Sequence, residues 1–137
     1  MKRLFLLAGL LVCTALLYAQ AVSYQVAIDL TSKDTNMHKS VIRWANSIAS
    51  SKPNAQVEVV LYGQSLDMVT KGKSSVTDAL QQMLTKKNVA IVVCENAMKR
   101  HNLDKSQLLP GVGTVPDGIY ELVVKQKEGW GYIKATH

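Results

Sequence analysis

The chain has 137 residues, 47% of them hydrophobic and 19% charged, with a formal charge of +6. That length fits one domain. The apolar fraction, with no charge block or low-complexity run, excludes a disordered or collagen-like chain. Two cysteines are too few for a disulfide framework.

Lys2 and Arg3 precede an almost purely apolar run from Leu4 to Leu17, and Ala19-Gln20-Ala21 follows with small residues where a signal peptidase reads. This order of parts predicts a secretory signal peptide over residues 1–21 and a single domain over 22–137, placed in the periplasm or outside the cell. Cleavage after Ala19 is the alternative. The run falls short of the ~20 residues of a spanning helix. A retained anchor is therefore the weaker reading, and no membrane association is expected after cleavage.

With the signal gone, the charge falls to +4 and the only phenylalanine, Phe5, is lost. The remaining Lys and Arg residues are spread thinly from Lys33 onward. Nucleic-acid binders gather such charge on one face beside aromatic residues, so no nucleic-acid partner is expected. Cys13 leaves as well, and Cys94 becomes the only thiol. A lone thiol in an exported protein is buried and inert, paired between chains, or reactive.

In chain order, Tyr24 to Leu30 is a short apolar run that predicts a strand. Asp34 or Thr35 caps a helix to about Ser50, with Met37, Val41, Trp44, Ala45 and Ile48 on one face; Pro53 and Asn54 punctuate its end. Val57 to Tyr62 is the second strand. A loop follows, its middle pinned by Leu66, Met68 and Val69. Ser75 and Asp78 match a capping box, opening a helix with Val76, Leu80, Met83 and Leu84 on one side. Val89 to Val93 is the most continuous apolar run, as expected of a central parallel strand covered on both faces, and it ends at Cys94. Glu95 to His101 reads as a short helix, and residues 108–115 as loop with a brief extended piece. Pro116 suits the first position of a further helix, which Gly129 breaks before a last strand at Gly131 to Lys134. This alternation predicts an α/β sandwich with a mostly parallel sheet of about five strands. Ligand sites in such sheets lie at the carboxyl ends of the strands, where loops begin at Thr31, Gly63, Cys94 and about Thr114.

At the end of a strand and the start of a helix, the Cys94 sulfur can face unpaired amide donors, which favour the nucleophilic thiolate. The bland reading is a buried structural cysteine. His38, His101 and His137 have no helical metal spacing and no Cys-x-x-Cys accompanies them, so no metal is expected. His101 suits an exposed helix end better than a base for Cys94. Residues 31–36 are hydroxyl-rich like a phosphate loop, but they lack its glycine, and Asp34 would repel the anion. Gly111-x-Gly113 follows a proline and has no third glycine. No cofactor is expected.

The segment Val92 to Leu103, with its strand, cysteine, basic helix and Asn102 turn, resembles the cysteine segment of the DsrE/DsrF-like (YchN-like) sulfur-relay family. Residues 108–118 and Glu128 to Ile133 are similar to the carboxyl-terminal half of exported members. The resemblance implies a three-layer α/β/α domain assembling into homotrimers or hexamers, and a Cys94 that carries sulfur as a persulfide between a donor and an acceptor protein. Two functions follow: an exported sulfur carrier or sulfurtransferase working through Cys94, and a non-catalytic oligomeric binding protein in which Cys94 is structural. A flavin or nucleotide binder on a flavodoxin-like sheet ranks below both.

Overall fold

The computed structural model describes residues 24–52 and 54–136. The expected signal peptide, Cys13, Pro53 and His137 lie outside the described residues. In order, the elements are β1 (Gln25–Leu30), α1 (Thr35–Ser51), β2 (Gln56–Leu61), a 3-10 turn (Ser65–Val69), α2 (Thr77–Leu84), β3 (Val89–Cys94), α3 (Glu95–Arg100), a second 3-10 turn (Lys105–Gln107), β4 (Gly113–Val115), α4 (Gly118–Lys127) and β5 (Gly131–Ala135).

The five strands form one sheet in the order β4-β3-β2-β1-β5, and every neighbouring pair is parallel. Alternation along the strands divides their side chains between two layers. Ile28, Leu30, Val57, Val59, Leu61, Ile91 and Val93 join Met37, Val41, Leu80 and Met83 of α1 and α2 in the main core. On the other face Ala27 and Val60 pack with Leu122 of α4, flanked by Tyr62, Val92 and Trp130. Among the described residues, α4 is the helix that covers this second face, over β1 and β2. The chain reaches that position because the β4–α4–β5 connection crosses the sheet from one edge to the other.

Three local expectations are corrected. β3 is not the central strand and is not covered on both faces: β2 is central, and on the α4 face Ala90 is exposed and Val92 half-buried. One ten-residue helix is too narrow to shield β3 as well. Ser75 and Asp78 do not cap α2. Its N-cap is Val76, without a side-chain bond, while the Ser74 hydroxyl accepts from the Val76 amide. Pro116 does not open α4 either. Asp117 is the N-cap, its Oδ1 accepting from the amides of Ile119 and Tyr120, and Gly118 becomes the first helical residue. A carboxylate that satisfies two orphan amides fixes a helix start more firmly than a proline that merely tolerates it. The middle loop is pinned as expected, with Leu66, Met68 and Val69 buried.

Candidate functional site

Cys94 closes β3 and is the N-cap of α3. It lies one step beyond the paired residues Leu61 and Val93, so Tyr62 and Cys94 sit side by side at the carboxyl edge. The thiol is free, but the residue is only 4% exposed and makes no cap hydrogen bond.

Gly118, the first residue of α4, lies over this pair. A Cβ there would stand 3.1 Å from the Cys94 Cβ, 3.2 Å from Val60 and 3.5 Å from the Tyr62 ring. The glycine is what lets the helix pack this closely on Cys94 and Val60, since any side chain would have to occupy space that they already fill.

Beside Tyr62 is a cluster that sequence reasoning missed. Asp29 is 2% exposed. Its Oδ2 accepts from the Tyr62 hydroxyl at 3.1 Å and the Tyr132 hydroxyl at 2.7 Å, and its Oδ1 accepts from Lys134 Nζ at 2.9 Å. The register explains the convergence: Asp29 pairs with Lys134, and Ala27 with Tyr132, so all three polar side chains share the α4 face. A buried carboxylate is tolerable only when paired and hydrogen-bonded, as here. Burial first, and then the Asp29 charge, push the Tyr62 phenol up to about 12; burial and the hydrogen bond to Asp29 do the same for Tyr132. Both phenols are therefore neutral donors across the physiological range. The available signal was Asp29 itself, one carboxylate in an otherwise apolar strand.

The other candidates are dispersed. Lys99 and Arg100 occupy the last turn of α3, away from its cysteine end, and His101 is the exposed C-cap. His38 is a core residue, with Nε2 2.9 Å from the Ser32 carbonyl. Glu95, which follows Cys94 in the chain, is held by Lys105 at 2.6 Å and Thr114 at 2.8 Å, which keep its carboxyl below the usual range. Among the described residues no three His, Cys, Asp or Glu side chains converge as a metal site, and no helix is long and apolar enough to cross a membrane.

An all-parallel open sheet with a single thiol at its carboxyl rim defines a class of small α/β domains. Within that class, a sequence model of the DsrE/DsrF-like family matches residues 25–135, and the chain belongs to this family. Its fold is similar to that of the protein of unknown function MTH1491 from Methanobacterium thermoautotrophicum, with a TM-score of 0.76 at 23% identity, covering 81% of this chain and 98% of that one. It also resembles the conserved protein of unknown function BT1422 from Bacteroides thetaiotaomicron, with TM-score 0.69, 18% identity and 83% and 98% coverage. The ychN protein from E. coli aligns with TM-score 0.67, 14% identity and 82% and 99% coverage. At these identities the likeness carries the fold and not the activity. No curated protein matches the sequence.

Proposed function

We propose that this protein is an exported sulfur carrier of the DsrE/DsrF-like family. Cys94, as thiolate, attacks a sulfane sulfur of a persulfide or polysulfide donor. The donor's S–S bond breaks, its electron pair leaves with the shortened donor, and Cys94 retains one added sulfur as a persulfide for an acceptor thiol. The observation that carries this reading is the position of the chain's only described thiol at the carboxyl rim of a parallel sheet, where such folds bind ligands. The signal-like residues 1–21 support export. Ile119, Tyr120 and Val123, which are 60%, 69% and 41% exposed on α4, support a homo-oligomer that would cover them.

The 4% exposure of Cys94 favours a second reading, a non-catalytic binding protein of the same fold with the thiol as core filler. One experiment separates the two: intact-mass analysis of the exported protein after polysulfide treatment, with and without a thiol-blocking step under native and denaturing conditions. The carrier gains one sulfur that is lost in Cys94→Ser, and its thiol is blocked under native conditions. No gain, with blocking only after denaturation, leaves the structural reading. The same spectrum gives the cleavage site.

A further inference from the structure

We infer that the cleft between Glu58 and Lys87 on the α4 side of the sheet binds a free α-amino acid with an apolar side chain, at a site that does not depend on what Cys94 does. α4 lies over β1 and β2 and stops short of β3. Beside it a cavity of about 280 Å³ opens over the first halves of β2 and β3, near the lower end of the size range of small-molecule sites. Two observations point to a ligand there. The Glu58 side chain is 10% exposed, and its Oε1 is buried with no hydrogen-bond partner among the described residues. Buried carboxylate oxygens are as a rule paired, so this one calls for a donor from outside the chain. Lys125 is committed elsewhere, to Glu58 Oε2, to Glu121 and to the Trp130 ring. The second observation is Lys87, which lines the same cleft, is exposed, and has no ion pair or side-chain hydrogen bond among the described residues.

The two open charges define what fits between them. A bare cation would satisfy Glu58 but meet the ammonium of Lys87, and a bare anion would do the reverse. A compact zwitterion suits both: its ammonium donates to Glu58 Oε1, and its carboxylate accepts from Lys87 Nζ, each a charge-assisted bond. The flexible Lys87 stem lets its ammonium follow the ligand carboxylate. Because Oε1 is screened from bulk water, a donor that reaches it meets little competition from solvent. The rest of the cleft offers the exposed Ala90 methyl and the half-buried Trp130 indole. Those apolar surfaces favour an aliphatic or aromatic side chain over the bare hydrogen of glycine. Ala90 is the register partner of Glu58 and stands four residues before Cys94, about 13 Å along a strand. The cleft therefore lies toward the amino-terminal edge of the sheet, away from the thiol.

The test is an NMR titration of the isotope-labelled protein at pH 7, following the Trp130 indole N–H and the amides of β2 and β3. The probes are leucine, phenylalanine, glycine, leucinamide and N-acetylleucine. Leucinamide keeps the ammonium and lacks the carboxylate, and N-acetylleucine does the converse. Leucine or phenylalanine should shift the resonances that line the cleft, with glycine, leucinamide and N-acetylleucine weaker by about tenfold or more. Lys87→Ala should weaken leucine about tenfold and leave leucinamide unchanged. Glu58→Gln should weaken leucine and leucinamide together and leave N-acetylleucine unchanged. Lys87 is exposed, so its variant keeps the fold and decides the matter even where Glu58→Gln does not fold. No shift with leucine or phenylalanine up to about 10 mM, equal affinity for all five probes, or a Lys87→Ala variant that binds leucine as wild type does overturns the assignment. Glu58 Oε1 is then satisfied by an ordered water only.

Discussion

Replacing Lys125 with methionine removes the only side-chain donor to Glu58 among the described residues, a carboxylate on β2 whose side chain is 10% exposed. Lys125 Nζ lies 3.0 Å from Glu58 Oε2, 3.5 Å from Glu121 and 4.5 Å from the centre of the Trp130 ring. Glu58 Oε1 already has no partner, so the variant leaves both oxygens buried and unpaired. Breaking such a pair costs about 3–5 kcal/mol when the orphaned charge must stay. Glu58 has an escape, because it can take up a proton. From its ordinary value of 4.5, protonation at pH 7 costs about 3.4 kcal/mol at 1.36 kcal/mol per pH unit, and at pH 5 only about 0.7. The loss is therefore capped, and we expect about 2–4 kcal/mol at pH 7, shrinking to about 1 at pH 5.

The sign is consistent with wild type, in which burial already raises Glu58 against the opposing pull of Lys125. A folded state that holds a proton more tightly than the unfolded chain is favoured at low pH and loses that advantage as pH rises through the raised value. Urea unfolding at both pH values, with the slope checked for constancy, gives the numbers. Adding Glu58→Leu to Lys125→Met should recover most of the loss, because an apolar pair replaces the orphan. A loss that is within about 0.5 kcal/mol of zero at pH 7, or that does not shrink at pH 5, refutes the reasoning.

Two more predictions concern the Asp29 cluster and the first helix. With Tyr62 and Tyr132 raised to about 12, the unfolded chain releases its phenolic protons first. Stability should hold up to about pH 10 and fall between 10 and 12; Tyr62→Phe with Tyr132→Phe should flatten that fall in thermal-shift measurements, and an unchanged slope would contradict the cluster. Asp34 Oδ1 accepts from the Asn36 amide at 2.8 Å as the N-cap of α1. Asp34→Ala should cost roughly 1 kcal/mol by urea unfolding, and Asp34→Ser should restore most of it.

The layout of the fold was legible because it rests on short-range signals. Apolar runs such as Val89 to Val93, the α1 stripe of Met37, Val41 and Ala45, and the positive-φ Gly129 each mark an element locally. Details decided by neighbours were not. Ala90 and Val92 are as apolar as any core pair, and nothing in their own segment says that α4 stops short of them. The start of α2 falls at Val76, which no side chain caps, with Ser74 rather than Ser75 accepting from its amide. At the site, Cys94 was visible as a lone thiol at a strand end, whereas its neighbours across the layers were not. Gly118 matters through an approach from another layer. Asp29 and Lys134 are separated by 105 positions and meet only through strand register.

That separation has a consequence for biogenesis. The cluster that holds the Tyr62 hydroxyl joins the first strand to the last, and β5 can take its place beside β1 only after the crossing from the far edge is complete. During synthesis, which proceeds from the amino terminus, Cys94 emerges while Tyr132 and Lys134 are still to come. A chain truncated before Gly131 therefore keeps Gly118 and Val60 beside Cys94 but leaves the Asp29 carboxylate without Tyr132 and Lys134.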